Sequence, residues 1–291
     1  YDGNFARLET EQAPKVSFLK SIADPSLDLR NPLKGPFNVI REKPLNLEND
    51  ALLLLKSAQL LPAAIISQVN NGEAFAKKYN LTYLQTKQLT ETAISSTSIA
   101  DAITAEIPTA RAENTRFHIF RPNISGEEHY AMEIGKINRD QPTLARIHSA
   151  CFTGDVLGSL KCDCGPQLHS ATKMMSDHGG GVLIYLNQEG RGIGLANKIK
   201  AYSLQDQGFD TVEANHRLGF EDDERNFQLA ATILKEMRIT DIKLITNNPS
   251  KVATMNKFNI NVAERIPLKV GQNKNNLRYL ETKAKKSGHL L

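Results

Sequence analysis

All the cysteine in the chain falls in one short stretch, at Cys151, Cys162 and Cys164. A C-x10-C-x-C spacing brings three sulfurs to one ion when Cys162 and Cys164 share a tight turn and Cys151 ends the preceding segment. Such a donor set favours zinc, one ion per subunit; the plainer alternative is three inert thiols. The fourth ligand decides what the metal does. His148 or His169 can complete a closed Cys3His site, whereas water in that position leaves a catalytic one. Three thiolates on a dication leave one net negative charge, so a bound water needs a neighbouring group to help it ionise.

A second cluster is Gln188-Glu189-Gly190-Arg191-Gly192-Ile193-Gly194. It lies between a predicted strand and a predicted helix, where free backbone N–H groups and the helix dipole favour an anion. It is not a dinucleotide fingerprint, and its glycines also suit plain strand-to-helix packing. Glu189 can accept paired hydrogen bonds from a guanine-like N1–H and amino edge, and Arg191 is a natural fork for phosphate or carboxylate. Asp223 and Arg225 flank Glu224 at an expected helix start, although an acidic run such as Glu221 to Glu224 ordinarily faces solvent. Thr246 and Lys251 surround Asn247-Asn248-Pro249 at an expected strand end, where α/β sheets tend to hold ligands.

The elements that must position these residues follow from patterning. Leu144 to His148, Gly181 to Leu186 and Ile242 to Thr246 read as buried strands. Helices are expected from Pro166 to Gly179, from Leu195 to Gln207, and from Glu224 to Met237. This alternation gives an α/β class with α+β admixture. Thr115–Phe120 and His129–Ile134 form a predicted hairpin around Pro122–Gly126. Upstream, Asn46–Asn70 reads as one or two helices broken at Pro62 and ended by Gly72, followed by a short helix over Glu73–Tyr79. Thr90–Glu106 is either weakly helical or a polar connection. The turn Asn138–Pro142 is the expected boundary between an N-terminal extension (1–137), smaller and mixed, and a catalytic domain (138–291).

The 291 residues suit two domains, and 40% hydrophobic with 23% charged residues are globular proportions. The longest apolar stretch, Leu60–Ile66, contains Pro62 and is far too short for a membrane span. A net charge of +4 is mild and evenly mixed. It suits a small anion better than a polynucleotide. Lys283, Lys285 and Lys286 are expected to be a solvated helix face, without the aromatic platform that RNA binding needs. An odd number of cysteines argues against a disulfide framework and for a reducing compartment. Tyr1-Asp2-Gly3-Asn4 lacks a signal pattern, so a cytoplasmic location is expected.

Arg146-Ile147-His148-Ser149, Cys151, Cys162-Asp163-Cys164-Gly165, Gln188-Glu189-Gly190-Arg191, Ala201-Tyr202, Asp210 to Asn215, Leu218-Gly219-Phe220, Thr246 to Pro249 and the terminal Gly288-His289-Leu290-Leu291 occur in order. Together they resemble the GTP cyclohydrolase II family from about Leu144 to Leu291. The resemblance implies a zinc- and magnesium-dependent homodimeric enzyme of riboflavin biosynthesis. Such an enzyme opens the imidazole ring of GTP, releasing formate and pyrophosphate and leaving 2,5-diamino-6-(5-phosphoribosylamino)pyrimidin-4-one. It implies Cys151, Cys162 and Cys164 as zinc ligands, with Mg²⁺ on the GTP phosphates. GTP would be lined by Arg146, Ile147, His148, Ser149, Ala150, Gln167, Glu189, Gly190, Arg191, Thr211, Thr246 and Lys251. Asp223 would be the general base, Arg225 the residue assigned to attack the α-phosphorus, and Tyr202 a neighbour of the opening ring. A guanidinium rarely offers a lone pair, so a clamp on the α-phosphate is the better expectation for Arg225. Ala150 departs from the family, which often has glutamate there. Ala74 to Leu89 faintly resembles the end of 3,4-dihydroxy-2-butanone 4-phosphate synthase, without that family's acidic magnesium-binding stretch. The rival reading is a regulatory paralogue that binds GTP around a structural zinc without turnover.

Overall fold

Short extended runs and local caps shape the described residues before position 89. In the computed structural model, which describes residues 5–9, 14–41, 46–88, 99–122, 127–288 and 290, Arg7–Glu9 (β1) pairs antiparallel with Asn38–Ile40 (β2). Helices follow at Val16–Ala23 (α1), Asn46–Ser57 (α2) and Gly72–Tyr79 (α3). Gly72 therefore opens a helix instead of closing one: the Asn71 side chain caps it by accepting from Ala74 N. The expected break comes early, since α2 ends five residues before Pro62.

Ile99–Glu106 (β3), Thr115–Pro122 (β4), His129–Gly135 (β5), Thr143–Ser149 (β6) and Gly180–Leu186 (β7) build most of a seven-stranded sheet, completed by Asp241–Ile245 (β8) and Asn261–Ile266 (β9). The order is β3-β4-β5-β7-β6-β8-β9. The β3–β4, β4–β5 and β5–β7 pairs are antiparallel, and the β7–β6, β6–β8 and β8–β9 pairs are parallel. β3 corrects the helical or loop expectation for 99–106, while residues 89–98, the tip of the β4–β5 hairpin, residues 1–4, His289 and Leu291 lie outside the described residues. The Asn138–Pro142 turn joins two strands of this one sheet.

The apolar strands sit in the centre because both faces are covered. Val182 and Ile184 of β7 pack with Ile147 and Leu244 under Gln228–Glu236 (α7) and Pro249–Lys257 (α8), through Leu229, Ile233 and Met255. Leu183 points the other way, with Ile134 and Ile245, against Ala171 and Met175 of Cys164–Asp177 (α4). Leu195–Asp206 (α5) and Thr211–Arg217 (α6) form a third cluster from Ile193, Leu204, Leu218 and Phe220, joined by Leu61. An Asp210–Glu213 capping box starts α6. Leu277–Ser287 (α9) closes the chain. The three central parallel strands thus end together, and the loops after β6, β7 and β8 share one rim.

Candidate active site

The loop after β6 carries the sulfurs. Cys151 leads into a single wide turn, Phe152–Val156, and Cys164 is the first residue of α4. Gly154 makes the convergence possible, since a Cβ there would stand 2.8 Å from Cys162 Sγ and 3.0 Å from Cys151 Sγ. The Cys151 and Cys162 sulfurs are 3.7 Å apart, and all three lie within 4.8 Å of one another. A tetrahedral zinc with bonds of about 2.3 Å spaces its sulfurs by about 3.8 Å, so the donor set fits that ion. Hydrogen bonds from the other two thiols, then Lys198, hold Cys151 well below its ordinary value. Donation to Cys151 pushes Cys162 up to about 11, and Cys164 is raised as well. Three thiolates this close repel one another, so a cation among them would favour the fully deprotonated set.

Neither candidate histidine joins the group of metal donors among the described residues. His148 Nε2 lies 3.1 Å from both carboxylate oxygens of Asp155, and its ring stacks on Tyr185. Asp155 also accepts from Cys151 N and Tyr185 Oη, so it braces the metal loop against the sheet.

The loop after β7 meets the first. Gly190 and Arg191 both adopt left-handed backbone (φ 64 and 62), which is uncommon for a non-glycine such as Arg191. Glu189 accepts from Phe152 N (2.6 Å), Gly190 N (2.7 Å) and Lys198 Nζ (2.9 Å). Lys198 Nζ also lies 3.1 Å from Cys151 Sγ and 2.9 Å from Thr153 Oγ1. A single lysine therefore links the expected base-reading carboxylate to the metal cradle. Tyr202, one turn further along α5, is kept protonated by burial, and Lys198 lies over its ring.

Cations form the opposite wall. Arg146 is 6% exposed; it donates to Ile245 O and Gln167 Oε1 while its Nε has no partner. Burial pulls it down to about 10. Lys251, 7% exposed, donates to Ile147 O, and burial followed by Arg225 and Arg146 takes it well below its ordinary value. Arg225 forks onto Asp223 (2.7 and 2.5 Å), reaches Ser149 Oγ and stacks over Phe227. Against the effect of burial, that fork keeps the Asp223 carboxyl below its usual range. Three mutually repelling cations in a buried wall call for an anion.

Every site residue expected from sequence lines this one cavity except Asp223, which stands behind Arg225. The Asp223–Arg225 segment is a loop and not the expected helix start, because α7 begins only at Gln228. Lys198, Asn215, Tyr279 and Lys283 also line the cavity and were not expected there. Asn215 ends the Asp210–Asn215 motif, whereas Lys198 carries no local signal. Lys283 is a correction: instead of facing solvent, it pairs with Asp163 at 2.8 Å, a carboxylate 1% exposed that also accepts from Gln167.

A sulfur cradle beside a cationic wall, at the ends of parallel strands, defines a nucleotide- or phosphate-handling α/β enzyme. A family model for GTP cyclohydrolase II matches residues 100–267. GTP cyclohydrolase-2 of Histophilus somni (strain 2336) is 56% identical over 183 residues, 61% of this chain and 84% of that protein. GTP cyclohydrolase-2 of Azospirillum brasilense is 41% identical over 275 residues, 93% of this chain and 71% of that protein. The solved structure of RibBX, a two-domain 3,4-dihydroxy-2-butanone 4-phosphate synthase from A. baumannii, is similar over 75% of this chain and 58% of its own, at 16% identity and a TM-score of 0.34. The chain belongs to the GTP cyclohydrolase II family, and it is an enzyme of that type.

Proposed function

We propose that the protein opens the imidazole ring of GTP and releases formate and pyrophosphate, leaving 2,5-diamino-6-(5-phosphoribosylamino)pyrimidin-4-one, at the entry to riboflavin biosynthesis. The observation that carries this reading is the meeting of the Cys151–Cys162–Cys164 cradle and the Arg146–Arg225–Lys251 wall in one cavity. Cys151, Cys162 and Cys164 would hold zinc, which when bound would supply a Lewis acid for the hydrolytic opening of the ring. Magnesium accompanies the triphosphate. Glu189, steadied by Lys198, reads the guanine edge, and Ile147, His148, Ala150, Gly190 and Thr211 shape the slot.

Arg191, Arg146, Lys251 and Thr246 hold the phosphates, and Gln167 keeps Arg146 aimed through its 2.5 Å hydrogen bond. Arg225 clamps the α-phosphate from its place beside Ser149, and an incoming phosphate competes with Asp223 for that guanidinium. Asp223, released from the fork, then accepts a proton from water. Tyr202, protonated because it is buried, gives a hydrogen bond to the ring nitrogen freed on opening.

The division at residue 138 is a division of chemistry: all assigned groups lie in 138–291, and the extension 1–137 supplies none. The exposed apolar side chains Phe152, Val156, Leu157 and Leu160 on the metal loop favour a homodimer. Three free cysteines suit the cytoplasm; no helix among the described residues is long and apolar enough to cross a membrane.

Product analysis tests the reading. Zinc-loaded protein with GTP and Mg²⁺ is expected to yield formate and pyrophosphate in equal amounts. GTP binding without formate would replace it with the regulatory paralogue.

A further inference from the structure

Residues 56–62, the last turn of α2 and the stretch after it, line no part of the cavity but touch the two loops that carry Arg191 and Arg225. Lys56 Nζ lies 2.8 Å from Glu224 Oε1, with each side chain 24% exposed. Glu224 sits between Asp223 and Arg225; its N–H donates to Arg191 O at 3.0 Å, and its Oε1 accepts from Glu221 N. Gly192 lies so close that a Cβ there would meet the Glu224 carbonyl oxygen at 2.8 Å. Three residues on, Gln59 adopts left-handed backbone (φ 56) and offers its carbonyl to the buried amide of Asn197 at 2.8 Å. The same amide donates to Ile193 O at 2.8 Å, and a Cβ on Gly194 would stand 2.5 Å from Gln59 Oε1. Leu61 packs with Ile193 and Phe220, and a Cβ on Gly219 would meet Pro62 Cγ at 2.6 Å.

The glycine turn 189–194 and the segment 219–225 are thus held together from outside by one stretch of the N-terminal extension. We infer that this stretch is a clasp and that Lys56 is a positioning residue for the nucleotide site: through Glu224 it keeps Arg191 and Arg225 in register to receive one polyanion. The inference rests on the GTP reading above. A half-buried ion pair that bridges two loops biases their geometry without touching substrate, so its loss lowers the fraction of binding-competent protein. The apparent affinity falls by that fraction, while the bound complex, once formed, is the same.

The test compares the full-length, zinc-loaded protein with Lys56→Met and with the charge-swapped pair Lys56→Glu/Glu224→Lys. Two readouts are needed: GTP-dependent formate release, and hydrogen–deuterium exchange of the ligand-free proteins. Lys56→Met is expected to raise KM for GTP about 3- to 10-fold with kcat within about twofold. Zinc content should stay unchanged, and exchange should speed up in 189–194 and 220–225 while the sheet keeps its protection. The swap should reverse both effects. Unchanged exchange in the two loops, faster exchange spread through the sheet, or a fall in kcat at constant KM would each overturn the clasp. Were the parent protein inactive on GTP, the cyclohydrolase reading would fail separately, and local loop exchange in Lys56→Met would still decide the clasp.

Discussion

The sheet of residues 99–266 and the segments that precede it meet water very differently. β6 is buried along nearly its whole length, whereas α1, α2 and their connections leave Leu33 95% and Ile65 78% exposed. The sheet coheres by apolar packing on both faces, whereas the preceding segments reach α5, α6 and the loop before α7, through the ion pairs Lys200–Asp24, Arg217–Asp28 and Lys56–Glu224 and the packing of Leu61. The candidate site lies where the strands are most deeply buried. The sulfur cradle and most of the cationic wall hang from the ends of three buried strands, so a misplaced atom there should cost far more than one in the segments before the sheet.

The sharpest break of this contrast is Cys162→Ser. It should abolish zinc retention and lower formate release by more than about 100-fold, because even groups that merely support a metal ligand are worth about 10- to 100-fold. Metal content and formate yield measured on the same sample check it. Next in size is Lys251→Met, which removes one cation from the buried wall. GTP binding should weaken by about 2–4 kcal/mol, read by titration calorimetry, with zinc content retained.

The pH dependence sharpens the same point. Burial, then Arg225 and Arg146, depress Lys251, so it is fully charged only below that lowered pKa and loses its charge as pH rises through it. KM for GTP should therefore climb on the alkaline side, earlier than an ordinary lysine near 10.5 would dictate, and Lys251→Met should flatten that limb. For the unliganded fold the sign is opposite. Between the depressed pKa and 10.5 the unfolded chain binds more protons at this group, so its contribution to stability rises with pH across that window. The smallest effect belongs to the extension. Asp28→Ala loses pairs with Lys34 and with Arg217, the latter between side chains 37% and 47% exposed. Stability should drop by less than about 1 kcal/mol in a denaturant titration, with KM and kcat unmoved.

Much of this was readable in one dimension. The clustered cysteines, the glycine turn and the buried runs of β6, β7 and β8 are local signals, because ligand type and strand burial are written in adjacent residues. β3 escaped because its residues are almost all exposed, leaving no apolar alternation to betray a strand. The acidic run before Arg225 resembles a helix start, yet the Glu224 N–H is taken by Arg191 O and the chain stays open until Gln228. Lys198 falls in an ordinary helical pattern, and nothing near it in sequence reveals the sulfur and carboxylate it touches. Lys283 looked solvated because its partner, Asp163, lies 120 residues earlier.

Composition and spacing alone settled which atoms are on offer: three soft sulfurs, a carboxylate beside glycines, and a handful of guanidinium and ammonium groups. Where those atoms point was settled by packing. His148 stands one strand end away from the metal cradle, but burial against Tyr185 and the 3.1 Å contacts with Asp155 commit its ring elsewhere. Donor identity is a covalent property of each residue. Orientation, and so the choice of fourth ligand and of the lysines that enter the cavity, depends on hydrogen bonds and buried surface shared between residues far apart in the chain.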